Sequence, residues 1–331
     1  MTPSAPLRIV IGSGYLGSRV ASRWVARGDR VIGTTRSAAR GAALVDAGVE
    51  PRMLEVTAAD WLAVFAETGP PATLFWSVGF DRSSGAKYHD VHVAGLRRLL
   101  DALAVLAARQ KIPRWTFPTN PTEQKAEVFT ALQSPHPAVT DSPHRPPGDR
   151  PPRVIFCSST GVWGDEAGEI VDETTPVHPS REAGRTLAEA EAMLAAHPAG
   201  PGTSLRFAGL YGPGRLPRLD DLRAGRPLAA DPESWLNLIH VDDAAQVVEA
   251  VADARSPSPL YVVADGHPVR RRDWYNRLAE LSGSPTPRWD PTVPPTRGGD
   301  KRINPARLFA ELPVSLAHPD ALEALPELLS D

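Results

Sequence analysis

The stretch Leu7-Arg8-Ile9-Val10-Ile11-Gly12-Ser13-Gly14-Tyr15-Leu16-Gly17 decides the fold. A short run rich in β-branched residues reads as a buried strand, and glycines at G-x-G-x-x-G spacing follow it at once. From Tyr15 to Ala26 the apolar residues take helical spacing. In such a unit Gly12 permits the tight turn, Gly14 lets the backbone approach a pyrophosphate, and Gly17 lets helix and strand pack closely. The helix N-terminus then offers free N–H groups and a partial positive charge to phosphates. The expectation is a dinucleotide site built on Gly12, Ser13, Gly14, Tyr15, Leu16 and Gly17.

Outward from this unit the alternation continues. Arg30–Thr34 reads as a second strand and Ser37–Ala47 as a helix capped by Ser37. Arg52–Val56 and Thr73–Val78 read as strands, Val91–Ala108 as a helix, and Val154–Ser158 as the fifth strand. Short, nearly all-apolar strands alternating with helices indicate a parallel sheet covered on both faces. The fold class is therefore α/β, a Rossmann-type doubly wound parallel sheet with a small C-terminal substrate region. The expected boundaries are 1–210 and 237–265 for the dinucleotide-binding domain, and 211–236 with 266–331 for the substrate region. Residues 113–152 carry ten prolines and read as an irregular insertion, either a surface loop or a lid or partner-binding arm.

Composition narrows the class. Of 331 residues 42% are apolar, enough for a large core, and 36 Lys+Arg against 39 Asp+Glu leave a net charge of -3. That balance gives no support for nucleic-acid binding through bulk charge. The single cysteine, Cys157, excludes an internal disulfide and a cysteine zinc cluster, and it lies in a buried-strand pattern that reads as packing. No apolar run is long enough for a membrane span and the N-terminal residues lack a signal-peptide layout, so a cytoplasmic protein is expected.

The nucleotide type is read after the second strand, where an NAD site usually carries Asp or Glu for the ribose hydroxyls. Here Gly33-Thr34-Thr35-Arg36-Ser37 has no acid, and none occurs between Asp29 and Asp46. Arg36 can pair with a 2′-phosphate and Thr35 or Ser37 can donate to it, with Arg40 one turn on; NADP is the expected cofactor, with NAD the alternative. Arg36 as a solvated helix-start residue is the plainer reading.

The second half carries Ser158-Ser159-Thr160-Gly161-Val162-Trp163-Gly164, then Asp172-Glu173-Thr174-Thr175-Pro176, then Ala183-Gly184-Arg185-Thr186-Leu187 with Glu191. With Tyr211-Gly212-Pro213-Gly214, Ile239-His240-Val241-Asp242-Asp243 and Val78-Gly79-Phe80-Asp81, this resembles the extended short-chain dehydrogenase/reductases, the NAD-dependent epimerase/dehydratase family acting on nucleotide sugars. The resemblance covers roughly 7–110 and 153–310. It implies that Val78 and Gly79 border the cofactor. It also implies a catalytic Tyr with a Lys four residues on, but those positions hold Ala183 and Leu187 here. The chain looks like an atypical branch whose cofactor half is intact and whose catalytic pair is missing.

Ser159 keeps the family's hydroxyl position and is the first catalytic candidate; capping the strand end is its plainer role. His92 stands where many relatives carry Asn, and a histidine titrating near neutrality can move a proton. Arg181 and Arg185 can stabilise an oxyanion but carry a fixed charge, so neither is a general acid. Trp163 and Arg215 are the substrate-binding candidates. Arg215 stands with Arg206, Arg218, Arg223 and Arg226 where relatives bind a substrate diphosphate, and arginine suits phosphate through paired hydrogen bonds. Interdomain salt bridges or simple exposure are the plainer roles for these arginines. Structural roles are expected for His240 and for Asp242 as a helix cap, and no metal site is expected.

The resemblance further implies a homodimer paired through the helix after the fourth strand. The spacing of Leu96, Leu99, Leu100 and Leu103 fits that, and equally fits packing on the sheet. Two functions remain: an NADP-dependent oxidoreductase or epimerase on a small or nucleotide-linked sugar or carbonyl compound, or a non-catalytic NADP-binding sensor or assembly protein.

Overall fold

Strand β1 (Leu7–Ile11) forms because its side chains have an apolar surrounding on both faces: Ile9, Val10 and Ile11 are fully buried. It pairs in parallel with β2 (Arg30–Thr35) on one side and β4 (Thr73–Trp76) on the other. Beyond them β3 (Glu50–Met53) pairs with β2, and β5 (Arg153–Ser159) pairs with β4. With β7 (Gly202–Phe207) and β11 (Leu260–Val263) they make a seven-stranded sheet ordered β11-β7-β5-β4-β1-β2-β3. The order reverses between β1 and β4, which opens a crevice at the C-terminal ends of those strands. The computed structural model describes residues 5–81, 85–109, 152–199, 202–290 and 299–329. The insertion expected at 113–152 thus lies, but for its last residue, outside the described residues.

The chain divides into two units, one of 1–158, 186–205 and 245–261, the other of 159–185, 206–244 and 262–331. In the first, α1 (Tyr15–Ala26), α2 (Ala38–Asp46), α3 (Trp61–Thr68) and α4 (Leu96–Arg109) cross between strands. Ser37 caps α2 as expected, its hydroxyl accepting the Arg40 N–H at 3.4 Å. Helix α3 is absent from the sequence reading. Its marks are an Asp60 cap that accepts the Ala63 N–H, and Trp61 and Phe65 one turn apart with rings at 6.2 Å. Leu96, Leu99, Leu100 and Leu103 are at most 2% exposed. They pack inside the unit, one of the two uses their spacing allowed. Helix α5 (Glu182–Ala196) begins in the second unit and ends in the first, where His197 and Asp101 meet at 3.1 Å.

The second unit contains short paired strands. These are β8 (Gly209–Tyr211) with β10 (Leu238–His240), β9 (Trp235–Leu236) with β12 (Val269–Arg270), and β6 (Ile170–Val171) with β13 (Arg302–Ile303). Helices α6 (Leu219–Arg223), α7 (Val241–Asp253), α8 (Arg271–Ser282), α9 (Ala306–Glu311) and α10 (Ala321–Leu328) complete the chain, α7 passing back into the first unit. Tyr211, Leu238, Trp274, Leu278 and Leu325 fill this unit's core. Helix α7 starts one residue before Asp242, so Asp242 is not its cap. Asp243 is the structural acid instead, accepting the Ala317 and His318 N–H groups at 2.7 and 2.9 Å. Among the described residues no helix is long and apolar enough to cross a membrane.

A buried charge on β1 sits inside the first unit's core. Arg8 on β1 is buried, with Nε 2.5 Å from Asp29, Nη2 2.9 Å from Asp253, and Nη1 3.2 Å from the Thr73 hydroxyl. Removing one partner of a buried pair strands the other charge at a cost of about 3–5 kcal/mol. Arg8→Met is therefore expected to lower unfolding free energy by about that amount in urea titrations, and Arg8→Met with Asp29→Asn by less.

Candidate dinucleotide site and substrate-side residues

The turn after β1 is dictated by missing side chains. Gly12 has φ +89°, and a Cβ there would stand 2.7 Å from the Val78 Cα. Its N–H donates to the Thr34 hydroxyl at 2.9 Å. At Gly17 a Cβ would stand 2.4 Å from the Gly12 carbonyl oxygen, so only glycine lets α1 run this close to β1. Gly14 differs: nothing lies within 4 Å of its would-be Cβ, because it faces a cavity of about 340 Å³. Ser13 beside it is buried, and its hydroxyl has no hydrogen-bond partner among the described residues. An open glycine, an unspent hydroxyl and a helix N-terminus are what a pyrophosphate requires. The residues present fit a dinucleotide.

The same cavity brings in Thr35, Arg36 and Arg40 after β2, and Val78 and Gly79 after β4. Tyr15, Leu16, Gly17 and Ser37 do not line it: Leu16 and Gly17 are buried on α1, and Ser37 serves as the α2 cap. Two acids that the sequence reading did not weigh for this site also line it. Arg36 reaches Glu55 at 3.3 Å and Asp81 at 3.2 Å, all three side chains being about two-fifths exposed. Burial pushes the Glu55 carboxyl up, but the Thr57 N–H and hydroxyl together with Arg36 outweigh it and hold the group below its usual value. A third strand over Arg52–Val56, the sequence expectation, places Glu55 inside the sheet and hides it from this site. The strand ends at Met53, which frees Glu55 to turn toward Arg36.

Ser159 ends β5 half-buried, and its hydroxyl accepts the Gly161 N–H at 3.1 Å, capping the short turn Thr160–Val162. Its own O–H hydrogen remains available to donate. Ala183 is exposed and Leu187 is 6% exposed, so the two family positions hold a methyl group and a buried alkyl chain. Cys157 is half-buried, more open than the strand pattern suggested. His92 sits in a stretch of π-helix, Asp90–Gly95, ahead of α4, a wide turn of a kind common at functional sites. Its ring lies 4.2 Å from that of Tyr88, and neither nitrogen has a partner among the described residues. Burial pushes its pKa down to about 4, so the imidazole is neutral at physiological pH and does not titrate near neutrality as the sequence suggested.

In the second unit Trp163 is 1% exposed, donates its indole N–H to the Thr175 carbonyl at 3.1 Å, and stacks under buried Arg206. Arg215 is exposed beside the Gly212 turn, and Arg218 and Arg226 both pair with Asp221.

A parallel sheet with this strand order and a glycine-cradled phosphate site defines a Rossmann-type dinucleotide-binding protein. Residues 9–264 match the model of the NAD dependent epimerase/dehydratase family, and the chain belongs to that family. It is 38% identical over 177 residues to Protein YeeZ of Escherichia coli (strain K12), covering 52% of this chain and 61% of that protein. It is 30% identical over 174 residues to 2'-dehydrokanamycin reductase of Streptomyces kanamyceticus, covering 48% and 49% respectively. The chain thus spans about half to three-fifths of the curated relatives it matches. The UDP-glucose 4-epimerase of Thermus thermophilus, solved with NAD, shares the fold with a TM-score of 0.70 at 17% identity, covering 98% of this chain and 99% of that one.

Two expectations follow. Gly14→Val is expected to leave the melting temperature unchanged while abolishing NAD(P)H binding, because its side chain projects into the cavity; Gly17→Val is expected to lower both. Thermal melts with fluorescence titration separate them. For His92 the unfolded chain takes up a proton near pH 6.5 and the folded one only near 4, so stability is full above 6.5 and falls as pH drops toward 4. The loss is on the order of 3 kcal/mol, and His92→Leu is expected to remove that part of the acid sensitivity in urea titrations across the window.

Proposed function

We propose that the protein is an NADP-dependent oxidoreductase or epimerase acting on a small or nucleotide-linked sugar or carbonyl substrate. The observation that carries this reading is the glycine cradle with Arg36 and Arg40 in one cavity. A bound nicotinamide dinucleotide supplies hydride transfer to or from a carbon bearing oxygen. This chain's own residues do the rest: the α1 N-terminus and Ser13 hold the pyrophosphate, and Arg36 meets the 2′-phosphate by exchanging its two carboxylate partners for it. The substrate class is supported by a reductase among the relatives and by a nucleotide-sugar epimerase sharing the fold. Ser159 donates its free O–H to the reacting oxygen, and neutral His92 is the second candidate donor. Arg215 takes an anionic part of the substrate, while Trp163, being buried, acts only as packing against Arg206. The expected state is a cytoplasmic homodimer.

A second reading, a non-catalytic NADP-binding sensor or assembly protein, is favoured by one observation. The positions that hold Tyr and Lys in relatives are Ala183 and a buried Leu187, and positioned acid–base catalysis typically supplies about 10²–10⁴ in rate. NADPH oxidation assayed against aldehydes, ketones and nucleotide sugars separates the two readings. Turnover that falls in Ser159→Ala at unchanged NADPH affinity supports the enzyme, and silence across the panel supports the binding protein. For the cofactor, calorimetry is expected to show NADPH binding about tenfold to a hundredfold tighter than NADH, one charge-assisted hydrogen bond's worth. Arg36→Asp is expected to erase the difference; equal affinities in the parent protein overturn the assignment.

A further inference from the structure

Residues 299–304 are threaded through the second unit by backbone contacts on both sides. The Glu166 and Gly168 N–H groups donate to the Asp300 carbonyl at 2.9 and 3.1 Å, and the Trp235 N–H donates to its carboxylate at 2.7 Å. Asn237 donates to the Lys301 carbonyl at 2.9 Å and accepts the Ile303 N–H at 2.8 Å. A Cβ on Gly299 would stand 2.2 Å from the Gly164 carbonyl oxygen. Backbone fixed this firmly leaves the Lys301 side chain little choice of direction. It is 3% exposed, and Nζ donates to the Gly164 carbonyl at 3.0 Å. Gly164 closes the Ser159–Gly164 stretch on which the substrate-side reading rests.

An ammonium has three donors. Among the described residues Lys301 spends one, on a neutral carbonyl, and no carboxylate lies at ion-pair distance. Other buried charges of this chain are better met: Arg8 by Asp29 and Asp253, and Asp243 by two N–H groups. Burial draws the Lys301 amine down to about 8, with Glu166 and Asp165 opposing that pull and Arg271 and Arg181 adding to it. A buried cation facing a single neutral acceptor is costly, and an arriving anion offsets that cost.

We infer that Lys301, with Arg181 and Arg271 adding positive potential, forms an anion-binding site in the second unit that takes a carboxylate or phosphate oxygen of the substrate. The inference rests on the reading of this chain as acting on a small or nucleotide-linked sugar or carbonyl compound. It gives the substrate an anionic group and the chain a cationic donor that Leu187 does not supply.

The test uses the full chain saturated with NADPH, titrated calorimetrically with sodium sulfate as a phosphate-like probe and with D-glucuronate as a carboxylate probe, at matched ionic strength. The expected result is saturable binding of one of them, and which one binds names the source. Lys301→Met weakens it about tenfold to a hundredfold, and Lys301→Arg keeps most of it. In the parent protein binding weakens as pH rises past about 8, where the amine loses its proton, whereas in Lys301→Arg it stays level. No saturable binding by the parent, or Lys301→Met binding as the parent does while Lys301→Arg is folded by circular dichroism, overturns the inference. NADPH affinity is measured in parallel and is expected to be equal in all variants. Its absence in the parent sinks the dinucleotide reading by itself, leaving the anion titrations, repeated without NADPH, to judge Lys301.

Discussion

The contact between Gly17 and the Gly12 carbonyl is the constraint on which the cofactor half depends. A single Cβ at either position would meet backbone, not a side chain able to move aside. Because both are glycine, α1 packs directly under β1 and its N-terminus arrives at the crevice where the strand order reverses between β1 and β4. The Ser77 hydroxyl donates to the same Gly12 carbonyl at 2.7 Å, and so ties the end of β4 to the turn after β1. Val78 and Gly79 leave the sheet at that point and form the opposite wall. The cradle and its wall therefore share one anchor.

Electrostatics in this cavity is balanced, not basic. Arg36 and Arg40 face Glu55 and Asp81, and the Arg36 ion pairs are exposed enough for solvent to screen them. Exposed pairs of this sort are each worth at most about 1 kcal/mol, so breaking them costs little, but the carboxylates so released repel a phosphate brought to Arg36. The carboxylates hold Arg36 at the cavity edge without locking it there. The choice between a ribose hydroxyl and a 2′-phosphate is thus a contest among several groups from three different loops, not a property of the residue after β2.

The family's catalytic positions are filled by side chains that do no proton chemistry. Leu187 is buried apolar packing and Ala183 ends in an exposed methyl group. Elsewhere the chain holds a serine that already caps a turn, a histidine kept neutral by burial, and a lysine whose ammonium spends one donor among the described residues.

The phosphate turn was legible in the sequence because its requirements are local. Glycines at fixed offsets between a β-branched run and a helical pattern state the turn, the close approach and the open face in eleven residues, and the alternation around them states the parallel sheet. The place of Arg36 after β2, at the edge of the cavity, was legible for the same reason. Glu55 and Asp81 as its partners were not, since their roles depend on where β3 and β4 stop, and strand ends are set by tertiary pairing more than by composition. Leucine spacing on α4 allowed two uses, and only the tertiary structure shows these leucines buried inside the unit. His92 read as a residue that titrates near neutrality until burial lowered its pKa, and Lys301 read as nothing in particular until the fold removed it from water. Sequence alone determines chemistry that is written in spacing along the chain; the tertiary structure decides charge state and partnership, because both depend on desolvation and on neighbours distant in sequence.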